Sequence, residues 1–218
     1  MNRRQIAFSV AAAIVVAALL VPARASAQGV SYGAKGGLNV STVTFNLSGV
    51  SPHISSRYGF DLGGFVAMDK GKAGLAIEIL YSQKGAKLDF SQQGSIDTID
   101  VKGDYIEIPV FGRMNLKSSD TSIVHPYVGP VFGFKVSDEI VETQRVNNVT
   151  TTTTQHDQIK GSDVGIAIGV QFDMSKFIID LRYNWGLMNV NKNSGTDEPE
   201  VKNRTFSLNF GWTIGKKK

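Results

Sequence analysis

The sequence predicts an all-β fold, an eight-stranded antiparallel transmembrane β-barrel of up-and-down topology. Eight stretches of about ten residues place apolar side chains at every second position, and the faces assigned to the outside carry no charge. In the last stretch one face consists of Phe206, Leu208, Phe210, Trp212 and Ile214, and the other face is polar or glycine. A period of two is typical of a strand and not of a helix.

The predicted strands and their connections give the barrel two different ends. Strands are predicted at 30–40, 58–68, 73–83, 105–114, 124–136, 164–172, 177–185 and 204–214. The connections alternate between long and short, and the long ones are 42–57, 84–104, 137–163 and 186–203. Outer-membrane barrels have this asymmetry, with short periplasmic turns and long extracellular loops. Bulges or bends are expected at Pro109, Pro126 and Pro130, because proline removes a ladder donor.

The side-chain sizes on the two faces indicate which face meets lipid. The same period would suit a soluble lipocalin-like barrel with its apolar set inside. However, the uncharged set is bulky, and eight strands leave an interior that we expect to be too narrow for it. Its members include Phe60, Ile77, Ile79, Tyr81, Ile108, Phe132, Phe134, Ile166, Ile168, Phe177, Leu181, Trp185, Phe210 and Trp212. The opposite set mixes glycine and alanine with charged residues, so the barrel is predicted to be apolar outside.

The chain begins with features of a secretory signal peptide. Arg3 and Arg4 precede an apolar run that ends near Val21, and Ala25-Ser26-Ala27 forms a small-residue cleavage site. The apolar run is shorter than the roughly 20 residues of a membrane-spanning helix, although a retained anchor helix is the alternative. We therefore predict a signal peptide at 1–27 and one barrel domain at 28–218.

Charge and cysteine content exclude several classes of function. The net charge of +4 includes three arginines of the predicted signal peptide, so the mature chain is nearly neutral and nucleic-acid binding is not expected. The chain has no cysteine, which excludes disulfides, thiolate metal sites and a cysteine nucleophile.

Aromatic residues are predicted to form two girdles at the membrane interfaces. Tyr58, Phe60, Tyr81, Tyr183 and Trp185 gather toward the loop end of the strands. The turn end carries Tyr32, Phe172, Phe177, Phe210 and Trp212. Ordinary enrichment of aromatic residues in strands is the alternative interpretation.

The inward face is predicted to carry a network of opposite charges that plugs the lumen. Its members are Lys35, Asp61, Glu78, Lys84, Glu107, Arg113, Lys135, Asp173, Asp180 and Arg182. Buried unpaired ions are strongly unfavourable, so these groups should pair. A gated pore or a proton pathway is the functional alternative to a structural plug.

Candidate catalytic and metal-binding residues are few. His53, His156 and Asp157 lie in predicted loops, and a hydrolase arrangement with Ser55 or Ser56 is supported only by composition. No nucleophile elbow, zinc-binding HExxH pair, phosphate loop or calcium loop occurs in the sequence. We expect no enzymatic activity, cofactor or metal.

Six segments resemble the PorT-like family of small outer-membrane β-barrel proteins, which are often described as porin-family proteins. They are GAKGGLNVST from Gly33, EILYSQKGAKL from Glu78, DYIEIPVFGRM from Asp104, HPYVGPVFGFKVS from His125, LRYNWGLMNV from Leu181 and NRTFSLNFGWTI from Asn203. The resemblance implies an eight-stranded outer-membrane barrel, and one branch of the family is linked to a bacterial secretion system. Such barrels commonly end on an aromatic residue that the assembly machinery recognises, and Trp212 is expected to serve here.

The expected function is structural or interactive, in a bacterial outer membrane, with lipid and the outer-membrane assembly machinery as partners. An extracellular or secretion-system partner would be met through 42–57 and 137–163, and the protein is expected to be a monomer. A narrow pore for ions or small solutes and a component of an export apparatus are the alternatives.

Overall fold

The computed structural model describes residues 29–46, 53–90, 95–119, 121–146, 149–192 and 200–216. The predicted signal peptide and its cleavage site lie outside the described residues. Within those ranges, no helix is both long enough and apolar enough to cross a membrane.

Ten strands form one closed antiparallel sheet, as the alternating pattern predicts. They are β1 (Val30–Asn46), β2 (His53–Lys70), β3 (Ala73–Asp89), β4 (Ser95–Met114), β5 (Leu116–Lys117), β6 (Ser122–Val146), β7 (Val149–Gln155), β8 (Ser162–Met174), β9 (Phe177–Gly186) and β10 (Glu200–Lys216). Eight long strands make the wall in the order β1, β2, β3, β4, β6, β8, β9 and β10, and β10 pairs with β1 to close the ring. The eight-stranded up-and-down barrel is therefore confirmed.

Two-residue turns lie at one end of the barrel. Gly71 occupies the turn between β2 and β3 with φ of 61°, a conformation that glycine adopts without strain. Ser175 occupies the equivalent turn between β8 and β9 with φ of 60°. The third connection at this end, 115–121, is longer and contains β5. The connections that follow β1, β3, β6 and β9 share the opposite, extracellular end.

The strands extend further toward the extracellular end than predicted. The predicted loop 137–163 is largely a β-hairpin, because β6 continues to Val146 and pairs with β7 from Ile140 to Gln155. Much of 84–104 is also strand, since β3 and β4 pair from Asp89 and Thr98 downward. Residues 97–102 of β4 and most of the β6–β7 hairpin are at least partly exposed on both faces, so the sequence there lacks the alternation that marks a half-buried strand. The β3 extension differs, because Ala86 and Leu88 are buried on its inner face.

The three strand prolines do not shift the register, so the prediction of bulges at these positions was wrong. Pairs on either side of Pro109 keep one register with β6, and the β6–β8 ladder is continuous through Pro126 and Pro130. The register shifts in the described strands lie elsewhere, between Tyr32 and Gly33 on β1, between Ser56 and Asp61 on β2, and between Asp104 and Tyr105 on β4. Each proline therefore lacks the N–H that would donate to the ladder, but the strand contains no extra residue of the kind that forms a bulge.

The bulky apolar side chains face outward, as predicted, but the interior also holds large rings. Ile168 and Trp212 are 62% and 54% exposed, whereas Phe111 and Tyr105 are 1% and 2% exposed. Phe111 and Tyr105 do not belong to the bulky set that was predicted to face outward, and their position in the lumen was not predicted. Inward-facing glycines make the room. A Cβ at Gly33 would lie 2.8 Å from the Phe65 ring, and one at Gly169 would overlap the hydroxyl of Tyr127.

Candidate functional site

A layer of four charged side chains crosses the middle of the lumen. Lys35 on β1 lies 2.7 Å from Glu78 on β3 and 3.0 Å from Asp180 on β9, measured from Nζ to carboxylate oxygens. Arg182 reaches the same two carboxylates at 2.6 and 2.9 Å through Nη2. All four side chains are at most 3% exposed, and their formal charges cancel. Groups from three separate strands thus form one neutral closure across the barrel.

Aromatic and amide groups complete this central layer. The Tyr127 hydroxyl donates to Asp180 at 2.5 Å and accepts from Arg182 Nε at 3.1 Å. The Arg182 guanidinium also stacks 4.8 Å from the centre of the Phe111 ring. Lys35 donates to Gln171 Oε1 at 3.1 Å. The charged groups of this layer therefore have hydrogen-bonding partners on several sides. Separating them would leave several buried ions unpaired where there is little water.

A second polar layer lies toward the extracellular end. Asn39 donates to Asp61 at 2.6 Å and to Ser82 at 3.2 Å, and it accepts from Ser207 at 2.7 Å. Beyond it, Lys84 pairs with Glu107 at 2.5 Å, with both side chains buried.

The remaining predicted lumen charges lie near the two ends of the barrel. At the turn end, Arg113 donates to both carboxylate oxygens of Asp69, at 2.9 and 2.6 Å. Asp173 lies there beside His125, with 3.3 Å between its Oδ2 and the imidazole Nε2. Lys135 lies at the extracellular mouth and contacts no other predicted member of the network. The predicted set therefore divides into separate groups along the barrel axis.

The extracellular mouth contains a clamp that ties the segment after β7 to the wall. Asp138 on β6 accepts hydrogen bonds from the backbone N–H groups of Asp157, Gln158 and Ile159, at 2.8 to 3.1 Å. Lys135 Nζ donates to Asp138 at 2.9 Å, to Asp157 at 3.1 Å and to the Ile159 carbonyl at 2.6 Å. We call these residues, together with Lys192, which donates to Asp157 at 2.6 Å, the mouth clamp.

The two carboxylates of the mouth clamp have lowered pKa values. Burial by itself raises the pKa of Asp138, but hydrogen bonds from Lys135 and from the backbone of Ile159 and Gln158 bring it below its ordinary value. Hydrogen bonds from Lys192 and Lys135 lower the pKa of Asp157 to about 2. Both carboxylates of the clamp are therefore ionised at neutral pH.

Several lumen residues were missed from the sequence although their strand positions could have indicated them. Tyr105 and Phe111 share the parity of Glu107 and Arg113 on β4, and Tyr127 shares that of His125 on β6. Asp138 had no such signal, because it lies beyond the predicted end of its strand. Asp138 accepts hydrogen bonds from a segment some 20 residues later in the chain, for example from the backbone N–H of Gln158.

The predicted girdle residues all lie on the outer surface. Those near the extracellular end are Tyr58, Phe60, Tyr81, Tyr183 and Trp185, and those near the turn end are Tyr32, Phe172, Phe177, Phe210 and Trp212. At the extracellular end, the Arg204 guanidinium lies 5.0 Å from the centre of the Trp185 ring. At the turn end, Trp212 is directly opposite Phe177 on the neighbouring strand.

His53 and His156, the histidines considered as catalytic or metal-binding residues, lie in different surroundings. His53 is exposed at the start of β2, near the exposed Ser55 and Ser56. His156 Nδ1 lies 2.9 Å from the Asp138 carbonyl oxygen and belongs to the mouth. Within the described ranges, no group of three or more histidine, aspartate or glutamate side chains is placed to hold a metal ion.

A closed sheet with an apolar outer surface and a charged interior defines a transmembrane β-barrel of the bacterial outer membrane. The family model described as outer membrane protein beta-barrel domain matches residues 24–192, and the chain belongs to this family. The finer resemblance to the PorT-like branch stays a prediction.

The chain is also similar to the solved structures of three bacterial proteins. Ail of Yersinia pestis is 16% identical, with 86% of this chain and 99% of that chain covered and a TM-score of 0.42. Neisserial surface protein A is 11% identical, with 86% and 100% covered and a TM-score of 0.43. OprG of Pseudomonas aeruginosa is 10% identical, with 86% and 97% covered and a TM-score of 0.46. No curated protein matches the chain.

Proposed function

We propose that this protein is a closed, non-enzymatic outer-membrane barrel that acts through its extracellular surface. The observation that carries the proposal is the neutral central layer of Lys35, Glu78, Asp180 and Arg182, which closes the lumen with side chains from three strands. An ion that entered would have to separate buried partners, and breaking a buried pair is strongly unfavourable. A narrow pore is the alternative.

The proposed working surface is the part of the sheet beyond the membrane. The β6–β7 hairpin lies in this part of the sheet, and β7 is exposed along its whole length. Among the described strands β7 pairs only with β6, so its other edge offers unpaired backbone groups. Such an edge is suited to a partner that binds as an added strand. The described parts of 42–57, which are the end of β1 and the start of β2, lie at the same end.

The proposal includes the route to the membrane and the orientation there. Residues 1–27 act as the signal peptide, the assembly machinery inserts the barrel, and the two aromatic girdles lie at the two interfaces. The Arg204 contact with Trp185 supports this placement, because a guanidinium over an indole suits the headgroup level.

Planar-bilayer conductance tests the closed lumen. We expect the wild-type protein to show no steady channels, whereas replacing both Glu78 and Arg182 by alanine should produce leak currents. The matched control replaces Lys102 and Glu139, an exposed pair at 2.9 Å on β4 and β6, which should leave the membrane sealed. Steady large conductance of the wild type would overturn the proposal in favour of a pore.

The interaction role needs its own experiment. Replacing 144–151, the hairpin tip, by Asn-Gly should keep the barrel folded, because this change leaves the β4–β6 ladder intact below Thr143. Surface capture with wild-type and shortened protein should identify partners that depend on the hairpin. Recovery of periplasmic secretion components with both proteins would instead favour an export apparatus.

A further inference from the structure

A cavity of about 260 Å³ opens inside the extracellular mouth of the barrel. Its walls are apolar and come from both sides of the barrel, with Val43 on β1, Leu88 on β3, Ile99 on β4 and Ile140 on β6. Ile159 and Val190 close it from the side of the mouth. We call this space the outer cavity.

The floor of the outer cavity is closed by polar groups that already have partners. Lys84 pairs with Glu107 at 2.5 Å, and Asn203 donates to Asp163 at 2.8 Å. The Lys84 ammonium also lies 5.7 Å from the centre of the Tyr105 ring. Lys84, Glu107 and Asn203 are therefore engaged with protein partners. No residue of the central layer lines the cavity, so the cavity lies on the extracellular side of that layer.

The mouth clamp holds the roof of the outer cavity in place. Its hydrogen bonds from Gln158 and Ile159 to Asp138 fix the segment that carries Ile159 across the mouth. Ile159 packs there in a buried cluster with Tyr105 and Val190. A preformed apolar space of this kind is typical of a small-molecule site. Its wall is already ordered in the folded protein, so ligand binding requires little further loss of conformational entropy.

The charges beneath the cavity select against anions. Lys84 is the one lysine that lines the cavity, and it interacts electrostatically with Glu107, Asp163 and Asp61. Asp163 Oδ1 is buried and accepts no hydrogen bond from any described residue. Arg57 is a second cation nearby, since its Nη1 donates to the Lys84 carbonyl at 2.7 Å. Three carboxylates thus face two cations around the floor, so a ligand carboxylate would add a further buried negative charge.

We propose that the outer cavity binds a neutral, largely apolar small molecule of about one or two rings. A cavity of roughly 150 Å³ with aliphatic and aromatic walls is known to hold benzene, so the larger space here suits a fused two-ring compound. This binding goes beyond the proposed surface role and needs no passage through the lumen.

Methyl NMR of the full-length protein in lipid nanodiscs tests this proposal with 2-naphthol at pH 7. Binding in the cavity should saturably shift the methyl signals of Ile99, Ile140 and Ile159, which line it. Partition into lipid alone would instead affect Ile77, Ile166 and Ile168, which are exposed on the outer face. 2-Naphthoate, of the same shape but anionic, should bind roughly tenfold or more weakly because of the acidic floor.

Filling the cavity provides the matched variants. Val43→Phe and Val190→Phe, on two different segments, should each weaken 2-naphthol binding by roughly tenfold or more, because the added ring occupies the site. Thr42→Phe, on the other face of β1, should leave it unchanged. The lipid-facing isoleucine signals report whether each variant is folded.

Three results would overturn the proposal: shifts confined to the lipid-facing isoleucines, equal binding of 2-naphthoate, or undiminished binding in both folded cavity-filling variants. The binding experiment does not depend on the conductance of the wild-type protein. The closed-lumen proposal and the outer-cavity proposal can therefore fail independently of each other.

Discussion

At the scale of single residues, the barrel interior depends on pairs of complementary size and charge. Glycine on one strand leaves room for an aromatic ring from another, and each buried cation has a carboxylate within hydrogen-bonding distance in the central layer. The ring of Tyr127 illustrates both, since it lies against Gly169 and bonds to Asp180 and Arg182. A change at one such residue therefore affects groups on other strands.

Charge on the lipid face should impair folding more than a small change in the lumen. Ile79 faces outward on β3, and an arginine there is expected to cost about 2–4 kcal/mol near the middle of the bilayer. Ile108→Arg on β4 should behave similarly. Ser82→Ala is the matched control on β3, because it removes one hydrogen bond from Asn39 at 3.2 Å. Urea unfolding from lipid vesicles measures the difference, and a greater loss for Ser82→Ala would contradict the assigned faces.

Gly169→Val should destabilise the barrel by about 1–3 kcal/mol, as expected for overpacking. The new side chain would displace Tyr127 from Asp180 and Arg182. Gly112→Val is the control, because Gly112 is exposed and the nearest atom to an added Cβ is the Val128 carbonyl oxygen at 3.9 Å. Equal unfolding free energies for the two variants would show that the tight contact has no energetic importance.

At the scale of elements, the sheet has a membrane-embedded part and an extracellular part with different sequence rules. The embedded part alternates apolar and polar residues, as in β10. The extracellular part of β6 and β7 is held by main-chain pairing and by the mouth clamp, and β7 consists largely of threonine. Threonine favours extended structure without requiring an apolar environment, which accounts for a regular hairpin in water.

The mouth clamp should resist mild acid and open only at low pH. Carboxylates with lowered pKa values contribute stability that is present above their ordinary value of 3.8 and is lost as the pH falls through the folded value, about 2 for Asp157. The Ile159 methyl signal should thus stay constant from pH 7 to about 5 and move below about 4. In Asp157→Asn the change should reflect Asp138 alone. A transition centred above pH 3.8 in the wild type would contradict this assignment.

At the scale of the whole molecule, the barrel combines an outer surface for lipid, a lumen crossed by a layer of paired charges, and an extracellular sheet. The closed ring leaves no free edge within the eight-stranded wall, which lipid requires because it offers no hydrogen bonds. Among the described strands, two short ones add an edge outside the wall, β5 near the turn end and β7 at the extracellular end, and each pairs with β6 alone. The molecule therefore exposes its unpaired backbone where water or a protein partner can reach it.

Export should leave a mature protein that begins at Gln28. The prediction follows from Arg3, Arg4, the apolar run and Ala25-Ser26-Ala27. N-terminal sequencing of protein from the outer-membrane fraction checks it, and Ala27→Pro should block cleavage as a control. Intact Met1 in that fraction would point to a retained anchor helix.

The sequence by itself determined the class of fold and the two faces of the wall. Alternation is a local property, so residues such as Ile168 and Trp212 reveal their side of a strand without knowledge of the partners. The placement of charged residues on the inner face was visible for the same reason. The expected functional consequence, a plugged lumen, stays a prediction that conductance will test.

Only the tertiary structure decided which groups meet across the barrel. Lys35 contacts Glu78 and Asp180, which lie 43 and 145 positions away in the chain, and no local pattern contains that pairing. The outer cavity likewise depends on the fold, because Val43 and Val190 are far apart in the chain and yet line the same space. The tilt and closure of the ring bring these residues together, and that geometry depends on the register of all eight strands at once.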